Sequence, residues 1–204
     1  MSKKPIIVFE GIEGSGKSHH ISKISKYFDK KKIRYLKIRE PGGNFNSEKI
    51  RRLILSNKSD FNQNTDLLLY MAARSENINI IRKFYKKRII LIDRFVDSTV
   101  AYQHYGMKVN LEIINKLNQF LLGKIKVDFT FLNIINDKNL ILRLKQRKSL
   151  NRYDKFDLKF YKNVQNGFRK IARLKKRSYK IINSNLEIKK NENLILDKIQ
   201  KLIK

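Results

Sequence analysis

The strongest constraint on this chain lies near its start. Pro5-Ile6-Ile7-Val8-Phe9 is an unbroken apolar run, the pattern of a strand buried on both faces. Gly11-Ile12-Glu13-Gly14-Ser15-Gly16-Lys17-Ser18 follows at once and meets every fixed position of G-x-x-x-x-G-K-[ST]. Glycines let successive backbone N–H groups turn inward and form a nest for anionic oxygens. A helix expected after Ser18 adds the positive end of its dipole. In this reading Lys17 reaches the β- and γ-phosphates of a nucleotide, and the Ser18 hydroxyl meets Mg²⁺. Average residue frequencies produce such a match in roughly 1% of random 200-residue chains, and the strand-loop-helix context narrows that further. The adjacent His19 and His20 point to different sides of a helix and read as plain helix residues rather than a metal pair.

The rest of the chain repeats the strand-helix alternation. Strands are expected at Ile33 to Ile38, Arg88 to Ile92, Val127 to Ile135 and Tyr179 to Ile182. Helices are expected from Ser18 to about Phe28, at Glu48 to Leu55, Asp66 to Phe84, Asp93 to Gly106, Leu111 to Leu122, Lys138 to Arg147, Asp157 to Arg177 and Asn191 to Ile203. Ser149 to Asp157 is a polar break. Alternating strands and helices call for a parallel sheet. The fold expected is α/β, a three-layer sandwich of the P-loop NTPase type: five parallel strands flanked by helices. At 204 residues, one domain over 1–204 is the simplest division.

Composition removes several classes of function. The chain has no cysteine, which excludes disulfides, zinc thiolates and thiol catalysis and fits a reducing cytoplasm. No apolar run approaches the length of a membrane span, and Met1-Ser2-Lys3-Lys4 lacks the features of a secretory leader. The formal net charge of +29 admits a polyanion partner. However, the lysines are scattered through every segment among many Asn and Ile, whose codons are rich in A and T. Compositional bias therefore accounts for the charge, and a nucleic-acid partner is not expected. No nucleic-acid-binding module is recognisable.

A phosphate loop does not by itself separate ATPases, GTPases and kinases. Asp93-Arg94-Phe95 leaves the third strand at its carboxyl end, where open α/β sheets bind ligands, and offers an acid for magnesium and a cation for phosphate. Four motifs now stand in order: Phe9 to Ser18; Arg39-Glu40-Pro41-Gly42-Gly43; Ala72-Ala73-Arg74; and Asp93-Arg94-Phe95 with Asp97-Ser98 and Ala101-Tyr102-Gln103. In residues and spacing the set resembles the bacterial thymidylate kinases, from about residue 5 to about residue 175.

The resemblance implies a set of roles. Gly11, Ile12, Glu13, Gly14, Ser15, Gly16, Lys17 and Ser18 would hold ATP with Arg143, and Ser18 and Asp93 would serve the metal. Tyr70 and Arg74, one helical turn apart, would hold the acceptor base by stacking and hydrogen bonding; Tyr70 stands where the family has Phe. Arg94, Arg39 and Arg51 would receive the acceptor phosphate. Thr99, Tyr102 and Gln103 would contact base and sugar, with Tyr102 crowding a ribose 2′-hydroxyl. Because the phosphate loop lacks arginine, a lid at about 143–157 would supply the catalytic cation. Arg147 and Arg152 lead there, with Arg143 and Lys145 behind. Catalysis would then rest on Lys17, Arg94, Asp93, Glu13, Arg147 and Arg152, with Mg²⁺ as cofactor, ATP and dTMP as substrates, and a homodimer as the assembly. The chain departs from the family pattern at His104-Tyr105-Gly106-Met107-Lys108, at Asn133-Ile134 and at Asn183. Rival readings are another deoxynucleotide or deoxynucleoside kinase and, more distantly, a nucleic-acid-stimulated ATPase.

Overall fold

A computed structural model describes residues 4–147 and 149–203. Met1 to Lys3, read above for the absence of a leader, and Lys148, within the expected lid, lie outside the described residues, as does Lys204. Five strands form one parallel sheet among the described residues: β1 (Ile6–Glu10), β2 (Tyr35–Arg39), β3 (Ile89–Asp93), β4 (Phe129–Ile134) and β5 (Tyr179–Asn183), in the order β2-β3-β1-β4-β5. All five residues of β1 are buried, as a central strand of a parallel sheet requires, whereas the edge strands β2 and β5 carry exposed Lys37 and Lys180.

Alternation along β1 separates two cores. Ile7 and Phe9 face α1 (Lys17–Lys30) and α8 (Ile188–Ile203), with Ile21, Ile24, Ile195 and Ile199 opposite them. Ile6 and Val8 face the other side, where Ile78 and Ile81 of α3 (Gln63–Phe84) cover them. Helices on both faces make the three layers expected. α2 (Phe45–Leu55) packs on α3, and α3 on α5 (Leu111–Leu122). Asparagine side chains at Asn44, Asn62 and Asn110 accept the first free N–H groups of α2, α3 and α5, which sets these helix starts.

The expected helix from Asp93 is corrected in form. A short α4 (Val96–Thr99) widens into a π-helix over Val100–Gly106. The widening lies against α7 (Leu158–Leu174), whose approach is so close that a Cβ on Gly106 would come within 2.6 Å of the Phe160 ring. α6 (Asp137–Lys145) precedes the polar break, which contains a 3₁₀ turn at Arg152–Lys155. α7 stops at Leu174, three residues before the Arg177 expected, and a second 3₁₀ turn over Lys176–Ser178 leads into β5.

The register brings the carboxyl ends of β2, β3 and β1 together: Arg39 lies beside Asp93, and Asp93 beside Phe9.

Candidate active site

Gly11, Gly14 and Gly16 have φ of 138°, 65° and 87°, in the region open to glycine. At Gly11 there is also no room, since a Cβ would lie 2.3 Å from the Asn133 carbonyl oxygen on β4. Lys17 folds back into the loop and donates to the carbonyls of Gly11 and Ile12, both at 2.9 Å. Burial, with Arg94 nearby, pushes its ammonium down to about 8 against the pull of Asp93 and Glu13. Ser18 Oγ lies 3.4 Å from Asp93 Oδ2. A hydroxyl and a carboxylate oxygen form the hard donor set that suits Mg²⁺, an ion that keeps waters and takes its other ligands from substrate phosphates.

The acceptor side faces this loop across a cleft of about 300 Å³, lined by Glu13, Lys17, Ser18, Arg39, Arg51, Tyr70, Arg74, Asp93, Arg94, Thr99, Tyr102, Gln103 and Arg147 among others. Arg94 sits at φ 64°, a left-handed conformation that costs a non-glycine residue on the order of 1 kcal/mol or more; its own N–H, bonded to the Phe9 carbonyl at 3.0 Å, holds it there. Its guanidinium donates to Glu13 Oε1 at 2.8 Å and lies over the Tyr102 ring at 5.1 Å, while Nη1 is buried without a partner. Glu13 also accepts from the Tyr102 hydroxyl. Burial works against ionising Glu13, but Arg94 and Lys17 outweigh it and hold the carboxyl below its usual range. Burial likewise opposes charge on Arg94, and Tyr102 and Glu13 reverse the sign. A charged Arg94–Glu13 pair therefore stands next to Lys17.

Arg74 is 1% exposed. Its Nε donates to Glu40 at 2.8 Å, one terminal nitrogen to Asn118 at 2.7 Å and the other to Thr99 Oγ1 at 2.9 Å. Arg39 pairs with Glu48 at 2.7 Å, and Arg51 donates to the Pro41 carbonyl at 2.7 Å. Gln103 is buried, with Oε1 unpartnered.

Arg143 crosses the outside of the phosphate loop and ties Gly14, through its carbonyl at 2.7 Å, to the Ser184 carbonyl after β5 at 3.0 Å. In the α6–α7 connection, Arg147 reaches the cleft and pairs with the buried Asp154. Arg152 turns to Asp66 at the start of α3 instead, and its guanidinium stacks over Phe61 at 5.6 Å.

Comparisons with known proteins bear on the whole of this arrangement. A family model described as thymidylate kinase matches residues 9–195. The chain belongs to the thymidylate kinase family. It is 38% identical to the thymidylate kinase of Thermosipho africanus, over 83% of this chain and 85% of the relative. It is 32% identical to that of Kosmotoga olearia, over 90% and 89%. The crystal structure of thymidylate kinase from Ehrlichia chaffeensis superposes with a TM-score of 0.79 at 27% identity, covering 98% of this chain and 99% of that one.

Within this thymidylate kinase fold the cleft gathers most of the residues expected from sequence. Gly11, Ile12, Ser15, Gly16, Arg143 and Arg152 lie outside its lining: Ile12 is buried in the core, Ser15 donates to the Ile12 carbonyl at 2.7 Å, Arg143 bonds to the Gly14 carbonyl, and Arg152 to Asp66. Sequence reasoning missed Glu10, Glu40 and Tyr153. Glu10 ends β1 and accepts from the N–H groups of Phe95 and Ser98 at 2.9 and 3.2 Å, and from the Ser98 hydroxyl. Burial, reinforced by Asp97, raises its carboxyl to about 7. Glu40 anchors Arg74. Both acids stand at or just past carboxyl ends of strands inside motifs already singled out, and that position was the available signal. Tyr153 lines the cleft edge-on to Tyr70 and Tyr102; a tyrosine in a polar break carries no such signal locally.

Proposed function

We propose that the protein transfers the γ-phosphoryl of ATP to dTMP, giving dTDP and ADP. The observation that carries this reading is the placing of Lys17, from the phosphate loop after β1, and Arg94, from the end of the neighbouring strand β3, on one cleft that Tyr70 and Arg74 also line. The acceptor's second phosphate pKa is about 6, so at neutral pH it is largely a dianion and needs no general base. The barrier is repulsion between two polyanions, and catalysis consists of positioning and charge neutralisation. In this reading Lys17 releases its two carbonyls for the β- and γ-phosphates, and Arg94, assisted by Arg39 and Arg51, receives the acceptor phosphate. Glu13 keeps Arg94 charged and aimed until substrate arrives. Arg74, fixed by Glu40, Asn118 and Thr99, and Tyr70 form the base pocket. Tyr102 and Gln103 floor the sugar region.

Ser18 and Asp93 would hold Mg²⁺, which would supply positive charge to neutralise the phosphates. Residues 143–157 act as a lid, with Arg147 as its cation at the cleft and Arg143 on the ATP side. Closure excludes water and limits ATP hydrolysis. The assembly is a homodimer, and the reaction belongs to the cytoplasm. Support for the dimer comes from α2, α3 and α5, which pack on one another and expose Phe45, Leu53, Leu68, Ile113 and Phe120.

An ADP-release assay with dTMP, dUMP, thymidine, CMP and AMP tests the substrate, with Lys17→Ala as the control that should abolish turnover while preserving the far-UV spectrum. dTMP is expected to give the highest kcat/KM. Preference for thymidine over dTMP would point to a nucleoside kinase, and turnover that rises with added RNA or DNA would point to an ATPase.

A further inference from the structure

Asp66 is a carboxylate that the proposed reaction does not use. It lies in the first turn of α3, is 1% exposed, and accepts from the Arg152 guanidinium and from the Tyr153 hydroxyl. Asp66, Tyr70 and Arg74 are spaced by four along α3 and so share one face. Tyr153 meets Tyr70 edge-on at 6.1 Å and Tyr102 at 5.9 Å, and its hydroxyl lies 3.5 Å from Gln103 Nε2. The next residue, Asp154, has a side chain with no exposure and holds Arg147, the cation of this segment that lines the cleft. A continuous set of contacts thus runs from the base-pocket helix through Asp66, Arg152, Tyr153 and Asp154 to Arg147.

We propose that Asp66 is a positioning residue: it registers the α6–α7 connection on α3, so that Arg147 stands over the cleft only when that connection is docked on the acceptor-base helix. The chemistry favours this over simple stabilisation. A buried ion pair seldom adds net stability, since desolvation offsets the attraction, and its best-attested use is to fix one register among several. A carboxylate in the first turn of α3, where the helix dipole favours negative charge, offers two fixed acceptors to two successive residues, Arg152 and Tyr153. That sets both the position and the rotation of the segment. Arg152 acts here through Asp66, and Arg147 is the group that meets substrate.

The role rests on the phosphotransfer reading, and two independent readouts test it. The first is kinetic, comparing Asp66→Asn, Asp66→Glu, Arg152→Gln and the double variant Asp66→Asn with Arg152→Gln. Asp66→Asn is expected to lower kcat on the order of tenfold or more while the KM for ATP stays within about twofold. Asp66→Glu should recover most of that loss, and the double variant should be no slower than the slower single variant. The second readout needs no acceptor. Trypsin should cut the 146–157 connection faster in Asp66→Asn than in the parent when each is digested at the same interval below its own melting temperature, since removing one partner of a buried pair lowers stability as well. A kcat within about twofold of the parent, losses that multiply in the double variant, or unchanged cleavage would each overturn the proposal. Should Asp66→Asn fail to fold, Tyr153→Phe removes only the hydroxyl donor and is judged by the same kcat and cleavage criteria. If the parent does not phosphorylate dTMP, the proposed substrate fails while the cleavage comparison still decides Asp66.

Discussion

At the scale of single residues, the cleft is organised by charges that are buried and paired before any substrate arrives. Glu13 sustains the charge of both Lys17 and Arg94 and is itself kept ionised by them, while Arg94 works against the Lys17 ammonium. Glu10 is the exception, a buried acid with no cation bonded to it, raised to about 7. Between about 4.5 and 7 the folded protein binds a proton that the unfolded chain has released, so Glu10 makes stability fall as pH rises through that window, and the cost is complete above it. His20 has the opposite effect, because burial depresses its imidazole to about 4. The unfolded chain then binds the proton between 4 and 6.5, and stability rises with pH there. Glu10→Gln keeps an acceptor for the Phe95 and Ser98 amides. Urea unfolding of parent and variant across pH 4.5 to 8 should therefore show a difference that grows with pH in favour of Gln, reaching roughly 3 kcal/mol at most. A difference that stays flat with pH would show that Glu10 ionises normally.

At the scale of elements, legibility depended on how local the cause was. β1, β3 and β4 are apolar runs and could be read directly, and so could the phosphate loop, because its glycines answer to backbone geometry alone. The start of α3 at Gln63 was read three residues late, at Asp66, although Asn62 is a recognisable cap. The π-helix over Val100–Gly106 was not legible. Its widening is matched to α7, where Gly106 meets Phe160 and Gly167 meets Tyr105, and α7 lies more than fifty residues further on. The α6–α7 connection showed its basic character in sequence but not its partners. Arg147 and Arg152 looked equivalent there, yet one lies at the cleft and the other is bound to Asp66. The double variant Arg147→Ala with Arg152→Ala should lower kcat more than it raises the KM for dTMP, because it removes a cation needed chiefly in the transition state, Arg147, together with the residue that anchors its segment, and neither adds much to ground-state binding. Initial-rate measurements with both substrates varied would check this, and an unchanged kcat would remove the lid role.

At the scale of the whole molecule, the net charge of +29 creates a field that favours encounter with anionic nucleotides, and the proposed homodimer would cover the exposed apolar residues of α2, α3 and α5. Sedimentation equilibrium should give twice the 24.3 kDa chain mass, and Leu68→Asp with Phe120→Asp should shift the protein toward monomer while leaving its melting profile cooperative. A monomeric parent at micromolar concentration would reject the homodimer.

The division between sequence and fold follows from the range of the forces involved. Backbone-dictated features belong to a few neighbouring residues, so the chain by itself determined the phosphate loop, the parallel α/β plan and the order of the motifs. Which carboxylate neutralises which arginine depends on distances across the sheet edge. Glu13 reaches Arg94 over 81 positions and Arg152 reaches Asp66 over 86, and only tertiary packing could select those partners, because a buried charge must find whichever opposite charge the fold brings within reach.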